Sequence, residues 1–427
     1  MISQWLSAAL ARTNIHYGWI MVGVTFLTAL ISAGAVGAPG VFIVPLQKEF
    51  GWTTAEISSA LSIRLVLFGV MAPFAAAVLN RFGLRNVTLS ALLTVATALV
   101  ISLAMTKVWQ LMLLWGLVVG IGTGMTALVL GATVSARWFA ARRGLVVGIL
   151  TASAATGQLV FLPLLASLTE RLGWRVALGL MCGMLGLAAF AVAMLMRDRP
   201  SDLGLRPFGD EGAGPLPAPP LNTAPIMAAA LGALREAAKT RVFWILFATF
   251  FICGASTNGL IQVHLIPMCL DFGIPQVQAA SLLAAMGVFD FFGTIGSGWL
   301  SDRYDNRYLL SWYYGLRGLS LLFLPFTNFS FYGLSLFAMF YGLDWIATVP
   351  PTVRLTAQRF GPERSNLVFG WIFAGHQLGA ATAAFGAGLS RTVLDTYLPA
   401  FFIAGALCVV AALITLAIAQ QVKPAAA

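Results

Sequence analysis

The chain has 427 residues, 59% hydrophobic and 9% charged, with a formal net charge of +10. Soluble domains carry about a quarter charged residues, so this composition cannot furnish a water-facing surface, and the apolar excess must face lipid. The 43 glycines fit that setting, where small residues let helices approach closely. The four cysteines (Cys182, Cys253, Cys269, Cys408) sit in apolar runs without CxxC spacing and read as small buried residues, with no metal or disulfide role.

A spanning helix needs about 20 apolar residues. The sequence predicts twelve: 17–40, 56–79, 87–106, 108–133, 144–168, 174–196, 241–268, 277–300, 308–327, 330–352, 365–389 and 396–420. The first starts near Tyr17 and is long enough to span, so it reads as a retained helix, not a cleaved signal. Residues 197–240 carry Arg197, Asp198, Arg199, Asp202, Arg206, Asp210 and Glu211, then a Pro-rich piece from Pro215 to Pro220. This stretch cannot span and reads as an aqueous linker. Its last part, Pro225 to Lys239, is predicted as a short surface helix. The expected architecture is an all-α membrane protein of twelve transmembrane helices in two six-helix halves, 1–196 and 241–427.

Lys and Arg set the orientation. With the N-terminus in the cytoplasm, 18 of the 25 basic residues fall on the cytoplasmic side and five outside: Lys48, Lys107, Arg171, Arg175 and Arg391. Arg64 and Arg317 lie inside spans. The asymmetry predicts an inner (plasma) membrane protein with both termini cytoplasmic. The basic balance then faces anionic headgroups, and no nucleic-acid partner is called for.

The loop after span 2 reads Ala76-Ala-Val-Leu-Asn80-Arg81-Phe-Gly83-Leu-Arg85, and the loop after span 8 reads Gly298-Trp-Leu-Ser-Asp302-Arg303-Tyr-Asp305-Asn-Arg307. Matched loops at matched positions are what parallel internal repeats predict. With the six-linker-six layout, they give the chain a resemblance to the major facilitator superfamily over essentially its whole length. The resemblance implies a cytoplasmic gate in which Asp302, Arg303 and Arg307, with Arg81 and Arg85 in the first half, clip the ends of neighbouring helices. Asn80 stands where that family usually has Asp, which weakens the first clip.

The link between spans 4 and 5, Arg137-Trp138-Phe139-Ala-Ala-Arg142-Arg143-Gly144-Leu145-Val-Val-Gly148 followed by Ala152 and Gly157, is similar to the signature of the monocarboxylate and oxalate/formate carriers. His16-Tyr17-Gly18-Trp19 is a partial match to that branch's aromatic-Gly-Trp start; its acidic-Gly prefix is missing. The glycines read as packing: Gly116, Gly120 and Gly124 of span 4 are expected to seat on a groove of span 5 at Gly144, Gly148 and Gly157. The drug/proton antiporter branch places a Gly-Pro pair in span 5. Ala155-Thr156-Gly157-Gln158 has none, and Gly116 stands where many proton-coupled members have Arg.

Charged or polar side chains within spans usually face the bundle interior or a cavity. The candidates for a substrate or proton pathway are Arg64 in span 2, Asn258, Gln262 and His264 in span 7, Asp290 in span 8, and His376 and Gln377 in span 11. Asp290 heads them: it stands alone among Val288, Phe289, Phe291 and Phe292, an environment that disfavours the charged form and suits a proton carrier. It matches the span-8 Asp of the monocarboxylate carriers, whose Arg four residues on is Thr294 here and whose span-1 Lys corresponds to Gly37. A carboxylate substrate therefore needs another cation: Arg64, His264 or His376. Arg64 has a structural alternative, locking span 2 to His376 or Gln377 of span 11. Asn258 and Gln262 share a helix face, and Pro267 is expected to unwind the end of span 7 and re-aim His264. Asp344 is expected to pair with Arg317. Prolines at 39, 73, 163, 267, 325, 350 and 351 permit bends.

The expected function is secondary active transport of a small organic anion with protons, by alternating access of a monomer in the lipid bilayer. The competing reading is a drug or metabolite exporter. No GxxxxGK[ST] run, nucleophile–base constellation or clustered histidines appear, so no enzyme, cofactor or metal is expected.

Overall fold

The structure, a computed structural model, describes residues 2–418 apart from 14, 127 and 211–225. The Pro-rich piece 215–220 and Lys423 lie outside the described residues, as do the side chain of Asn80 and the positions of Gly144, Gly148 and Ala152 in the span 5 groove.

The regular structure among the described residues is all helical, with one isolated bridge between Phe139 and Phe208. After α1 (Ile2–Ala11), twelve helical passages follow in order. Span 1 is α2 (Gly18–Gly37) plus α3 (Pro39–Phe50); spans 2 and 3 are α4 (Thr54–Phe82) and α5 (Leu84–Ser102). Span 4 is α6 (Val108–Leu111), a π-helical stretch Met112–Val118, α7 (Val119–Thr126) and α8 (Leu128–Trp138). Spans 5 and 6 are α9 (Arg143–Leu172) and α10 (Trp174–Leu195), and the linker carries α11 (Ile226–Ala237). Span 7 is α12 (Arg241–Gly254), a π-helical stretch Ala255–Ile261 and α13 (Gln262–Asp271). Spans 8 and 9 are α14 (Gln276–Ser301) and α15 (Asn306–Phe323); span 10 is α16 (Phe331–Asp344) and α17 (Val349–Phe360). Spans 11 and 12 are α18 (Pro362–Leu394) and α19 (Leu398–Thr415).

Among the described residues nine stretches are long and apolar enough to cross a membrane by length and composition alone. The other passages are α9, α15 and α18; α15 carries Arg307 and Arg317, and α18 carries His376 and Gln377, which dilute their hydropathy. Spans 1 and 10 depart most from the predicted bounds. Span 1 runs on past Pro39, which sits at the first position of α3 where its missing N–H costs nothing, and ends at Gly51 in the left-handed region (φ 70°). Span 10 is broken at 345–348 instead of continuous, because Pro350 and Pro351 open the second piece and supply no backbone donors.

Glycines set how closely spans meet. The Gly116, Gly120 and Gly124 row packs on span 2, not on span 5 as expected: Cβ atoms built there would meet Ala60 O at 3.0 Å, Arg64 Cα at 3.0 Å and Met71 Cβ at 2.9 Å. That row faces α4 because only a Cβ-free face admits the α4 backbone so closely. Gly157 of span 5 seats instead on span 1 at Leu30 and Ala33. Spans 7 and 11 meet backbone to backbone, Gly254 and Gly259 against the carbonyls of His376 and Ala380, and Gly379 against that of Phe251.

The linker is bound to the side that carries most of the basic residues. Asp198 accepts from Arg85 N at 2.9 Å beside Gly83, whose φ of 87° and crowding against that carboxylate admit no side chain. The predicted surface helix exists as α11, and it docks on spans 2 and 11, where Trp371 Nε1 donates to Ala230 O at 2.8 Å.

Candidate functional site

The two sequence signatures meet in space. Tyr17 lies 5.9 Å from Trp138, Trp19 lies 5.3 Å from Phe139, and Phe208 of the linker closes the group. His16 starts span 1: its Nδ1 accepts from Gly18 N at 3.0 Å, so its Nε2 carries the proton and donates to Arg206 O at 2.9 Å. These residues join the starts of spans 1 and 5 to the linker; they are structural.

The paired loop motifs do equivalent work. Arg85 donates to Ala193 O at the end of span 6 (2.7 Å from Nη2), and Arg307 donates to Ile418 O just after span 12 (2.9 Å). Each guanidinium thus satisfies a carbonyl at a helix C-terminus. Arg307 also grips Asp305, holding that carboxyl below the usual carboxylate range. Asp302 pairs with Arg354 on α17, which clips span 8 to span 10. Arg303 lies over Trp299 (4.0 Å) and Arg81 over Phe82 (5.5 Å), and neither has an ion pair among the described residues.

Of the interior candidates, Arg64 stands apart. It is 4% exposed, and among the described residues its guanidinium makes one hydrogen bond, to Val36 O at 3.1 Å, with no carboxylate partner. The bond goes to span 1, not to His376 or Gln377. Residues 58, 62 and 69 form the face of α4 that meets span 11, and position 64 lies on another face. A small cavity of about 20 Å³ adjoins it, with Pro39, Phe42, Trp115 and Met181 among its walls. That is room for about one water.

At the seam of spans 2 and 11, Gln377 packs on Gly69, fully buried, and neither atom of its amide has a partner among the described residues. The ring of His376 stacks on Phe373 (5.6 Å) beside Phe250 (4.9 Å), and its Nδ1 is also unpartnered there. Asn258, half-buried in the π-helical stretch, and the buried Gln262 lie on span 7 where it meets spans 11 and 1. His264 is elsewhere: fully buried, bonded through Nε2 to Ala384 O at 2.8 Å and packed 5.2 Å from Tyr397. Pro267 does not unwind this end; α13 stays helical, because span neighbours cover the backbone where its N–H is missing. The departure from α geometry comes more than two turns earlier, around Asn258.

Asp290 is not isolated. It accepts from Thr294 Oγ1 at 3.0 Å and from Ile346 N at 2.9 Å, facing span 10. Beside it the expected Arg317–Asp344 pair is formed at 2.7 Å, with Arg317 only 1% exposed. Arg317 Nη1 also donates to Cys253 Sγ at 2.9 Å, and that thiol contacts Thr348 Oγ1 at 3.3 Å. Cys253 is thus part of a polar cluster and no mere apolar filler. Sequence reasoning missed Cys253, Thr348 and Ser297. Ser297, two helical turns below Asp290 on one face, was the signal within reach.

The family profile described as Major Facilitator Superfamily matches residues 25–384 and again 265–426. An uncharacterized MFS-type transporter, YcxA of Bacillus subtilis, is 24% identical over 91% of this chain and 91% of its own. Monocarboxylate transporter 12-B of Danio rerio is 26% identical over 91% of this chain and 84% of its own, and monocarboxylate transporter 13 of Bos taurus is 26% identical over 91% and 86%. Among solved structures, the nucleoside transporter NupG superposes with a TM-score of 0.75, covering 94% of this chain and all of its own, at 14% identity. The twelve-span fold, the repeated loops and the profile agree: this chain belongs to the Major Facilitator Superfamily and is a membrane transporter.

Proposed function

We propose that the protein is a proton-coupled carrier of small monocarboxylates, working as a monomer in the inner membrane with both termini in the cytoplasm. The observation that carries this reading is Arg64. A guanidinium at membrane depth costs about 2.5–3.5 kcal/mol even by the lenient insertion scales, and such groups mark substrate paths. Among the described residues that cost is met by one carbonyl and no acid, beside a cavity. An incoming carboxylate supplies the missing counter-charge, by a bidentate pair that Lys cannot match. The monocarboxylate transporters among the relatives support the substrate class.

The test is uptake of radiolabelled L-lactate into proteoliposomes under an inward proton gradient. Arg64→Gln keeps the polarity and loses the charge, so uptake falls at least about 10-fold, the loss of one charge-assisted bond. Normal lactate uptake by Arg64→Gln at wild-type expression sinks the assignment.

A further inference from the structure

The first six spans hold a cation at depth and no acid to match it. Glu49 and Glu56 flank the loop between spans 1 and 2, Glu170 stands at the end of span 5, and no Asp or Glu occurs from 57 to 169. Glu49 is taken by Arg175 and by Trp174 Nε1, and Glu56 closes the capping box that starts α4. The two acids inside spans of the second half are engaged there: Asp344 holds Arg317, and Asp290 accepts from Thr294 and Ile346. Arg64 is therefore a buried guanidinium with no carboxylate partner among the described residues. Buried charges are normally paired, because an uncompensated one is costly.

The surroundings of Arg64 fit a small anion. A guanidinium has five N–H groups; one bond is made to Val36 O, and the side chain borders the cavity of about 20 Å³. Ala35, Pro39, Phe42 and Leu99 make apolar walls. Trp115 is the other wall residue with a polar hydrogen, and its Nε1 is spent on Ser102 Oγ at 3.1 Å. A cavity of this size takes about one water-sized body. Carboxylates, sulfate and phosphate are polyatomic and too large for it, whereas a halide is a single sphere.

We propose that this cavity is a halide site, taking chloride or bromide, and that the ion neutralises Arg64 whenever no substrate does. The walls come from spans 1, 2, 3, 4 and 6, all in the first half. The site therefore keeps its shape while the halves rock against one another. Gly120 lets span 4 close on the Arg64 backbone, which fixes the root of the side chain. The inference rests on the reading of Arg64 as the anion-binding group and adds what that group holds at rest. One guanidinium neutralises one anion, so halide and carboxylate compete for it.

The test is thermal unfolding of the purified full-length protein in detergent, titrated with sodium chloride or bromide at an ionic strength held constant with sodium gluconate, whose anion is too large for the cavity. The melting temperature is expected to rise by about 2 °C for each tenfold of halide above the dissociation constant. Arg64→Gln keeps a polar group, removes the charge and abolishes the rise. Ala35→Val leaves the guanidinium, fills the cavity and abolishes the rise as well, and it serves where the first variant fails to fold. In proteoliposomes, halide in place of gluconate raises the KM for lactate in proportion to its concentration and leaves the maximal rate unchanged. A melting temperature indifferent to the exchange of gluconate for halide, or a rise that both variants keep, overturns the site. Lactate that raises the melting temperature through Arg64 where halide does not overturns the halide site and leaves the carboxylate reading standing. A halide-dependent rise that needs Arg64, with lactate uptake normal in Arg64→Gln, overturns the carboxylate reading and leaves the halide site standing.

Discussion

Arg317 shows how much one side chain in this bundle carries. It pairs with Asp344, caps two carbonyls and touches Cys253, all at 1% exposure. Removing one partner of a buried pair leaves an uncompensated charge, at a cost of about 3–5 kcal/mol, whereas replacing both by apolar groups is often near neutral. Arg317→Leu is expected to lower unfolding stability in detergent by that amount. Arg317→Leu with Asp344→Leu recovers much of it, less about 1 kcal/mol for each abandoned carbonyl. A double variant no more stable than the single one argues against pairing as the role of the guanidinium. The pair was legible from sequence because two lone opposite charges in adjacent spans have few other choices. The surroundings of Asp290 were not, since Ile346 contributes a backbone N–H, which no residue type announces, 56 positions along the chain.

Helices in this bundle are told apart by what their glycines face. On α18, Gly379 presses on the Phe251 carbonyl of span 7, while a Cβ at Gly386 would meet nothing. Gly379→Ala is expected to destabilise by about 1–3 kcal/mol through overpacking. Gly386→Ala is expected to stabilise by about 0.5–1 kcal/mol, as helix propensity favours alanine. Thermal unfolding of the two variants reads the opposite signs directly; equal shifts would mean that spans 7 and 11 do not pack this closely. The sequence named Gly116, Gly120 and Gly124 as a packing face but gave the wrong partner, span 5 for span 2. A small-residue row declares that some backbone comes near, and only topology says which. The span count and α11 were readable because hydropathy and charge run along the chain. The break in span 10 was readable only as a permitted bend, because prolines mark where donors are missing and leave open who replaces them.

At the scale of the whole molecule, the first and last six spans are sewn together on the side opposite the basic face. Gln276 Nε2 donates to Val41 O at 2.7 Å, Ala55 N donates to Thr392 Oγ1 at 3.0 Å, and Ser62 Oγ donates to Ala381 O at 2.8 Å. On the basic face, Phe74 and Trp371 meet edge to face at 5.9 Å beneath α11. Alternating access requires the first seam to part. A cysteine pair at Ala55 and Thr392 is expected to cross-link on oxidation, arrest lactate uptake and release it on reduction. Uptake that continues with the cross-link formed would mean that this seam does not open in the transport cycle.

The grip of Arg85 on Ala193 and that of Arg307 on Ile418 each bind the third span of a six-helix set to the end of its last. Both closures are internal to their own set. A ribosome that has released Leu195 has delivered every atom the first closure needs, before span 7 exists. Each six-helix set can therefore close on itself as soon as its own last span is made.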